Sequence, residues 1–276
     1  MRDKIRMVGL DLDGTLLNGE KKLTSYTRKI LDRAIAKGTE IVIVTGRNWE
    51  EVPEDIKNFS GIHYMITANG ARITEVETNK ILGEHLLSYK KAKKALEMVQ
   101  KYQSIQDLYY KGEGYVWEKQ YWEIEEYYQD PKICQYLRAT RKRVPDLIAF
   151  LEEKRCELDK VEILFKRKEE KEQAWQELKT IKGIRLLSLP QFNNIEVNDM
   201  ETNKGKALLE LGMILGIQPT QIMACGDSDN DVEMIRMAGL SVAMENAVKE
   251  VKAASDYVTD SNEEEGAAKA IEKFVL

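Results

Sequence analysis

A short apolar run, Met7-Val8-Gly9-Leu10, ends in Asp11-Leu12-Asp13-Gly14-Thr15, and this junction restricts the fold more than any other stretch of the 276 residues. From Ile5 to Leu10 the pattern is that of a strand buried on both faces: brief, apolar, and flanked by charge and turn residues. Asp11 and Asp13 then stand at its carboxyl end. Residues two apart share one face of a strand, and Gly14 permits the turn that opens both carboxylates to a crevice. Open α/β sheets hold their ligands at such strand ends.

The pattern continues through a helix capped by Thr24 or Ser25 and stopped at Gly38, then a second buried strand, Ile41-Val42-Ile43-Val44, which ends at Thr45-Gly46-Arg47. Two such strands around one helix form a parallel, right-handed crossover. A helix-like stretch follows from about Trp49, then a strand at Tyr64-Met65-Ile66-Thr67 and a small hairpin over Arg72–Glu75 and Lys80–Leu82.

From Gly83 the texture changes to short helices and hairpin strands rich in tyrosine, and near Lys204 the helix-then-strand pattern returns, with Ile222-Met223-Ala224-Cys225 running into Gly226-Asp227-Ser228-Asp229-Asn230-Asp231. The expected architecture is one α/β parallel-sheet domain, residues 1–82 and 191–276, interrupted by an inserted α+β module, residues 83–190.

Composition narrows the function. A hydrophobic fraction of 43% suits a globular chain, and a net charge of -5 is not the basic footprint of a nucleic-acid binder. No stretch approaches the ~20 apolar residues of a membrane span, so the expectation is a soluble, cytoplasmic protein without nucleic-acid or membrane partners. Cys134, Cys156 and Cys225 are widely spaced and odd in number, which supports neither a disulfide framework nor a zinc site. His63 and His85 lie outside the motifs and receive no role. Oligomeric state leaves no signal.

Strand ends thus supply Asp11 and Asp13, then Thr45, then Asp227 to Asp231, while a helix start supplies Lys204 beside Gly205. Carboxylates converging from separate strands repel unless a cation joins them. Hard oxygen ligands suit magnesium, which retains sites for a phosphate-bearing substrate, and Thr45 and Lys204 then serve as partners of phosphoryl oxygens. Taken singly, each element has a duller reading: a capped turn for the paired aspartates, a turn former for Thr45, a solvated lysine for Lys204. The acidic loop is not a calcium loop, since Val232 and Ala238 stand where that motif needs glycine and glutamate. For Tyr109, Tyr110, Tyr115, Trp117, Tyr121 and Trp122 the expectation is packing, and for Arg138, Arg141, Lys142 and Arg143 a solvated run beside a helix.

In combination these motifs resemble the haloacid dehalogenase (HAD) superfamily of phosphotransferases, and within it the Cof-like phosphatases with a IIB-type inserted cap. Asp11-Leu12-Asp13-Gly14-Thr15, Val44-Thr45-Gly46-Arg47, Thr202-Asn203-Lys204-Gly205 and Gly226-Asp227-Ser228-Asp229-Asn230-Asp231 match its four motifs in order. Ala68-Asn69-Gly70-Ala71 and Val242-Ala243-Met244-Glu245-Asn246-Ala247 resemble further subgroup signatures, with Glu245 replacing a common glycine.

The resemblance implies a Rossmann-like HAD core, an inserted substrate-specificity cap, and magnesium-dependent hydrolysis of a small phosphorylated metabolite, such as a sugar phosphate, through an aspartyl-phosphate. It makes Asp11 the nucleophile and Asp13 the acid and then the base. Thr45, Gly46, Lys204 and Asn230 contact the phosphoryl group. Asp11, Asp227 and the main-chain carbonyl of Asp13 hold Mg2+, and Asp231 orients Lys204 or a metal-bound water. A phosphomutase on the same scaffold and a non-catalytic metabolite- or protein-binding protein are the rival readings.

Overall fold

The structure is a computed structural model that describes residues 3–128, 130–188 and 193–276. Fourteen strands occur among these. In chain order they are β1 (Met7–Leu10), β2 (Glu40–Val44), β3 (Tyr64–Thr67), β4 (Arg72–Glu75), β5 (Lys80–Glu84), β6 (Ser104–Tyr110) and β7 (Glu113–Trp117). Then come β8 (Arg141–Val144), β9 (Lys160–Phe165), β10 (Ile184–Leu187), β11 (Asn194–Asp199), β12 (Ile222–Gly226), β13 (Leu240–Ala243) and β14 (Tyr257–Val258). They form two sheets, and the chain divides into two compact units around them.

The first unit comprises Met1–Arg47, Val52–Glu84 and Asn203–Leu276. Its eight-stranded sheet has the order β14-β13-β12-β1-β2-β3-β4-β5. The six strands from β14 to β3 run parallel, and β4 and β5 add an antiparallel edge. β1 is central, with Met7 beside both Ile222 and Glu40. Every residue of β1 is buried, as a strand covered on both faces requires. On one face Met7, Val42 and Ala224 pack against Leu208 and Leu211 of helix Lys204–Ile214. Helices Ser25–Ala36 and Gly266–Phe274 contact each other and bury Ile30, Leu31 and Ala34 with Ala268 and Ile271. Thr24 caps the first of these, its hydroxyl accepting from the Thr27 amide at 3.1 Å.

The second unit comprises Asn48–Glu51 and His85–Thr202. Its six strands order as β10-β11-β9-β6-β7-β8, antiparallel except between β7 and β8. Helices Tyr89–Val99, Leu147–Lys154 and Lys168–Leu178 cover one face, where Leu96, Leu151 and Leu178 meet Leu108, Val161, Ile163, Ile195 and Val197.

Three features differ from the sequence expectation. The return expected at residue 191 lies among 189–192, outside the described residues, and the units part instead after Thr202, because β11 pairs with both β9 and β10. The helix expected from Trp49 is only a 3-10 turn, Trp49–Glu51, and a four-residue helix, Glu54–Lys57, separated by Pro53, whose missing amide hydrogen and ring interrupt a longer one. Residues 48–51, placed with the core by sequence, belong to the second unit.

Gly70 adopts a φ of +103°, and a Cβ there would lie 2.5 Å from the carbonyl oxygen of Asn203. Backbone strain and overlap with a rigid main chain act together at this position. Gly70→Ala is expected to lower the unfolding free energy by about 2–4 kcal/mol. A shifted urea midpoint measures this, and an unchanged midpoint contradicts it.

Candidate active site

Three neighbouring strand ends and one helix start converge in the first unit. Asp11 follows the last residue of β1, and its amide donates to the Cys225 carbonyl at 3.1 Å. Asp227 follows the last residue of β12, and Thr45 the last of β2. Asn203 caps helix Lys204–Ile214, its Oδ1 accepting from the Gly205 and Lys206 amides, which fixes Lys204 as the first helical residue.

Lys204 is fully buried, and its Nζ bridges Asp11 Oδ1 at 2.7 Å and Asp231 Oδ1 at 2.6 Å. Burial alone would depress its pKa, but these two carboxylates hold it above the usual lysine range. The other oxygen of Asp231, Oδ2, accepts from the amides of Asp227 and Ser228 at 2.9 and 3.0 Å. Asp231 thus aims the ammonium and shapes the acidic loop together. Asp227 accepts from Thr15 Oγ1 at 3.0 Å and from Ser228 Oγ at 2.9 Å. Gly14, at φ +84°, leaves room for it, since a Cβ there would fall 2.5 Å from Asp227 Oδ2.

Oxygens of Asp11, Asp227 and Asp231 lie within 4.8 Å of one another. Three carboxylates against the single charge of Lys204 leave the buried cluster short of two positive charges. Burial pushes the Asp11 carboxyl well above its ordinary value, with Lys204 opposing and Asp231 and Asp227 adding to the rise. Burial and then Asp231 raise Asp227 to about 6. An all-oxygen donor set with this deficit fits a hard divalent cation, and Asp11, Asp227 and Asp231 are the carboxylates that could hold it.

Asp13 occupies a different environment. Arg47 grips it in a two-pronged pair, Nε to Oδ2 at 2.6 Å and a terminal guanidinium nitrogen to Oδ1 at 2.7 Å, and Lys21 Nζ lies 2.8 Å from Oδ1. Burial would raise its pKa, but the hydrogen bond and charge of Arg47, aided by Lys21, bring it down to about 2. The pKa values of two aspartates two residues apart are therefore moved in opposite directions by their environments. Thr45 is buried at the base of the loop, its Oγ1 accepting from the Arg47 amide at 3.1 Å. Asn230 Nδ2 donates to Asn69 Oδ1 at 3.0 Å, and a Cβ on Gly46 would meet both side chains. Asn246 Nδ2 donates to the Gly14 carbonyl at 2.8 Å, so the last signature supports the first despite Glu245.

The structure brings Asp11, Lys204, Asp227 and Asp231 into direct contact and places Asp13 with Arg47. Sequence reasoning assigned no role to Arg47, Lys21, Thr15 or Ser228. Arg47 carried a signal in its place behind Thr45-Gly46, whereas Lys21 lies in a turn without any pattern.

Comparison with known proteins agrees with this geometry. The sequence profile of the haloacid dehalogenase-like hydrolases matches residues 8–271. A 5-amino-6-(5-phospho-D-ribitylamino)uracil phosphatase of Bacillus subtilis is 31% identical over 272 residues, spanning 99% of this chain and 96% of its own. A haloacid dehalogenase-like hydrolase structure from B. subtilis superposes with a TM-score of 0.84 at 26% identity, covering 97% of this chain and 99% of its own. One from Bacteroides thetaiotaomicron gives 0.81 at 26% identity, covering 98% and 99%.

Protons and a cation compete for the raised carboxyls. With Asp227 at about 6 and Asp11 also raised, the apparent dissociation constant for a divalent cation such as magnesium is expected to rise as the pH is lowered. Below about pH 6 it should rise about tenfold per pH unit for each proton displaced. Calorimetric titration across this range measures it, and a flat profile down to pH 5 would contradict the charge deficit.

Proposed function

The chain belongs to the haloacid dehalogenase-like hydrolases, and from that premise we propose that it is a magnesium-dependent phosphatase of small phosphorylated metabolites working through an aspartyl-phosphate. The observation that carries this reading is Lys204 held between Asp11 and Asp231, with Asp227 beside them and two negative charges uncompensated. A phosphomonoester needs the same components: an oxygen nucleophile, fixed positive charge around the phosphoryl oxygens, and a proton donor for the leaving oxygen.

Asp11 attacks phosphorus through a carboxylate oxygen while the bond from phosphorus to the leaving oxygen breaks. Lys204 keeps Asp11 aimed and, with Thr45, Gly46 and Asn230, receives the phosphoryl oxygens. Asp13 supplies the proton to the leaving oxygen and in the second half takes one from the water that attacks the acyl phosphate, releasing phosphate and restoring Asp11. Its low pKa leaves it ionised, and so with an oxygen free of a proton, at the start of the second half. In the first half, a substrate that draws Arg47 and Lys21 toward its own anionic oxygens loosens their hold and lets Asp13 carry a proton. Asp11, Asp227 and the Asp13 carbonyl would hold the magnesium ion, which would supply neutralisation of charge. The second unit selects the substrate.

The ribityl phosphate named for the B. subtilis relative makes phosphorylated polyols and sugars the first compounds to assay. Wild-type protein is expected to release free phosphate from p-nitrophenyl phosphate with magnesium and to stop when the cation is chelated. Asp11→Asn is expected to reduce turnover by about 10³-fold or more with its circular-dichroism spectrum unchanged. Retained activity in that variant refutes the nucleophile. Transfer to a sugar hydroxyl without free phosphate refutes hydrolysis.

A further inference from the structure

Beyond the first motif the chain makes a short loop whose backbone is gripped by side chains far away in sequence. Asn246 Nδ2 donates to the Gly14 carbonyl at 2.8 Å, Asn262 Nδ2 donates to the Leu17 carbonyl at 2.9 Å, and Glu263 Oε1 accepts from the Gly19 amide at 2.6 Å. These groups are linked to one another. The Asn262 amide donates to Asn246 Oδ1 at 3.0 Å, and Asn262 Nδ2 also reaches Glu263 Oε1 at 3.3 Å. Gly19 permits the close approach, since a Cβ there would fall 2.7 Å from Glu263 Oε1. All of these residues belong to the first unit.

Inside this frame the turn Asn18–Lys22 closes on itself. The Lys21 amide donates to the Asn18 carbonyl at 2.8 Å and the Asn18 amide to the Lys22 carbonyl at 3.1 Å, while Asn18 Oδ1 accepts from the amides of Glu20 and Lys22 at 3.1 and 2.9 Å. Lys21 takes a left-handed φ of +60°, which a lysine adopts where its surroundings impose it. The turn sends two neighbouring lysines different ways. Lys22 Nζ meets Glu20 at 2.9 Å in solvent, whereas Lys21 Nζ folds back to Asp13 Oδ1 at 2.8 Å. A half-exposed lysine–carboxylate pair contributes little to stability, so stability does not account for a left-handed lysine in a loop held by three distant side chains.

We propose that Lys21 is a positioning residue for the Asp13 carboxyl, kept in place by Asn262. The assignment rests on the phosphatase reading, in which Asp13 passes a proton to the leaving oxygen. Arg47 reaches both oxygens of Asp13 from beyond β2, and Lys21 adds a hydrogen bond from a separate segment. The carboxyl is thereby fixed between two elements of the fold instead of following one flexible side chain. Such placement matters because a shift of about 1 Å in a reacting group costs about 10²-fold in rate.

Phenyl phosphate and p-nitrophenyl phosphate test this together. Phenolate is the stronger base and needs a proton as it leaves, whereas p-nitrophenolate departs nearly unaided. Wild type is expected to cleave both. In Lys21→Ala, kcat/KM for phenyl phosphate should fall about tenfold and that for p-nitrophenyl phosphate less than about threefold, with Lys21→Arg restoring the wild-type ratio and Lys22→Ala leaving it unchanged. Asn262→Ala should lower the ratio of phenyl to p-nitrophenyl phosphate about threefold in the wild-type background and not at all in Lys21→Ala, because it acts through Lys21. An unchanged or raised ratio in Lys21→Ala, no rescue by Lys21→Arg, or a wild type that cleaves only p-nitrophenyl phosphate overturns the assignment while the phosphatase stands. A further fall in the double variant overturns the part given to Asn262. Absence of phosphate release from both compounds by the wild type overturns the phosphatase reading as well.

Discussion

Everything in the first unit's site is referred to one buried ammonium. Lys204 has no solvent exposure, so its charge is tolerable only because Asp11 and Asp231 take it up. That requirement fixes the amino end of helix Lys204–Ile214 against the ends of β1 and β12, with Asn203 capping the helix and Asp231 tying its second oxygen to the loop. Remove the ammonium and two buried carboxylates lose their partner. The pair is therefore a geometric constraint on how the helix start meets the strand ends.

The two units solve the same problem in opposite ways. In the first, anionic groups gather at strand ends, where backbone amides and a helix start can face them. In the second, charges such as those of Asp107 and Glu162 sit in the middle of strands, on pleats that alternate with an apolar face. Mid-strand charge is harder to bury, and its neighbours Tyr109 and Arg141 answer it with a hydroxyl, a guanidinium and ring faces.

Much of the first unit was legible from the chain because local pattern and tertiary role coincide there. Apolar runs ending in Asp11, Thr45 and Asp227 are read as strands by periodicity and as a site by their polar ends, and the sheet places them side by side. The converse holds for Arg141. A run of Arg138, Arg141, Lys142 and Arg143 looks solvated because nothing local shows that Asp107 and Glu51, 34 and 90 residues away, will meet one member of it. The fold separates the four, leaving Arg138 on a helix, burying Arg141 at the start of β8 and leaving Lys142 and Arg143 more than 45% exposed in their side chains. Lys21 reaches Asp13 from only eight residues away, but as a flexible side chain folding back from a turn that has no pattern to mark it. Boundaries failed for a related reason: β11 reads as a strand either way, and only its partners say which sheet owns it.

The placement of β1 has a consequence for how the protein comes into being. This strand is flanked by β2, close by in the chain, and by β12, whose Ile222 must reach Met7. During synthesis from the amino terminus, β1 keeps one edge bare until nearly the whole chain has emerged, whereas all six strands of the second sheet, from Ser104 to Asp199, are complete earlier. Closing so long a loop is slow and leaves an apolar edge exposed meanwhile. Asp11 acquires Lys204 and Asp227 only at that last closure, so a nascent chain carries this carboxylate for most of its synthesis without the groups that surround it in the folded unit.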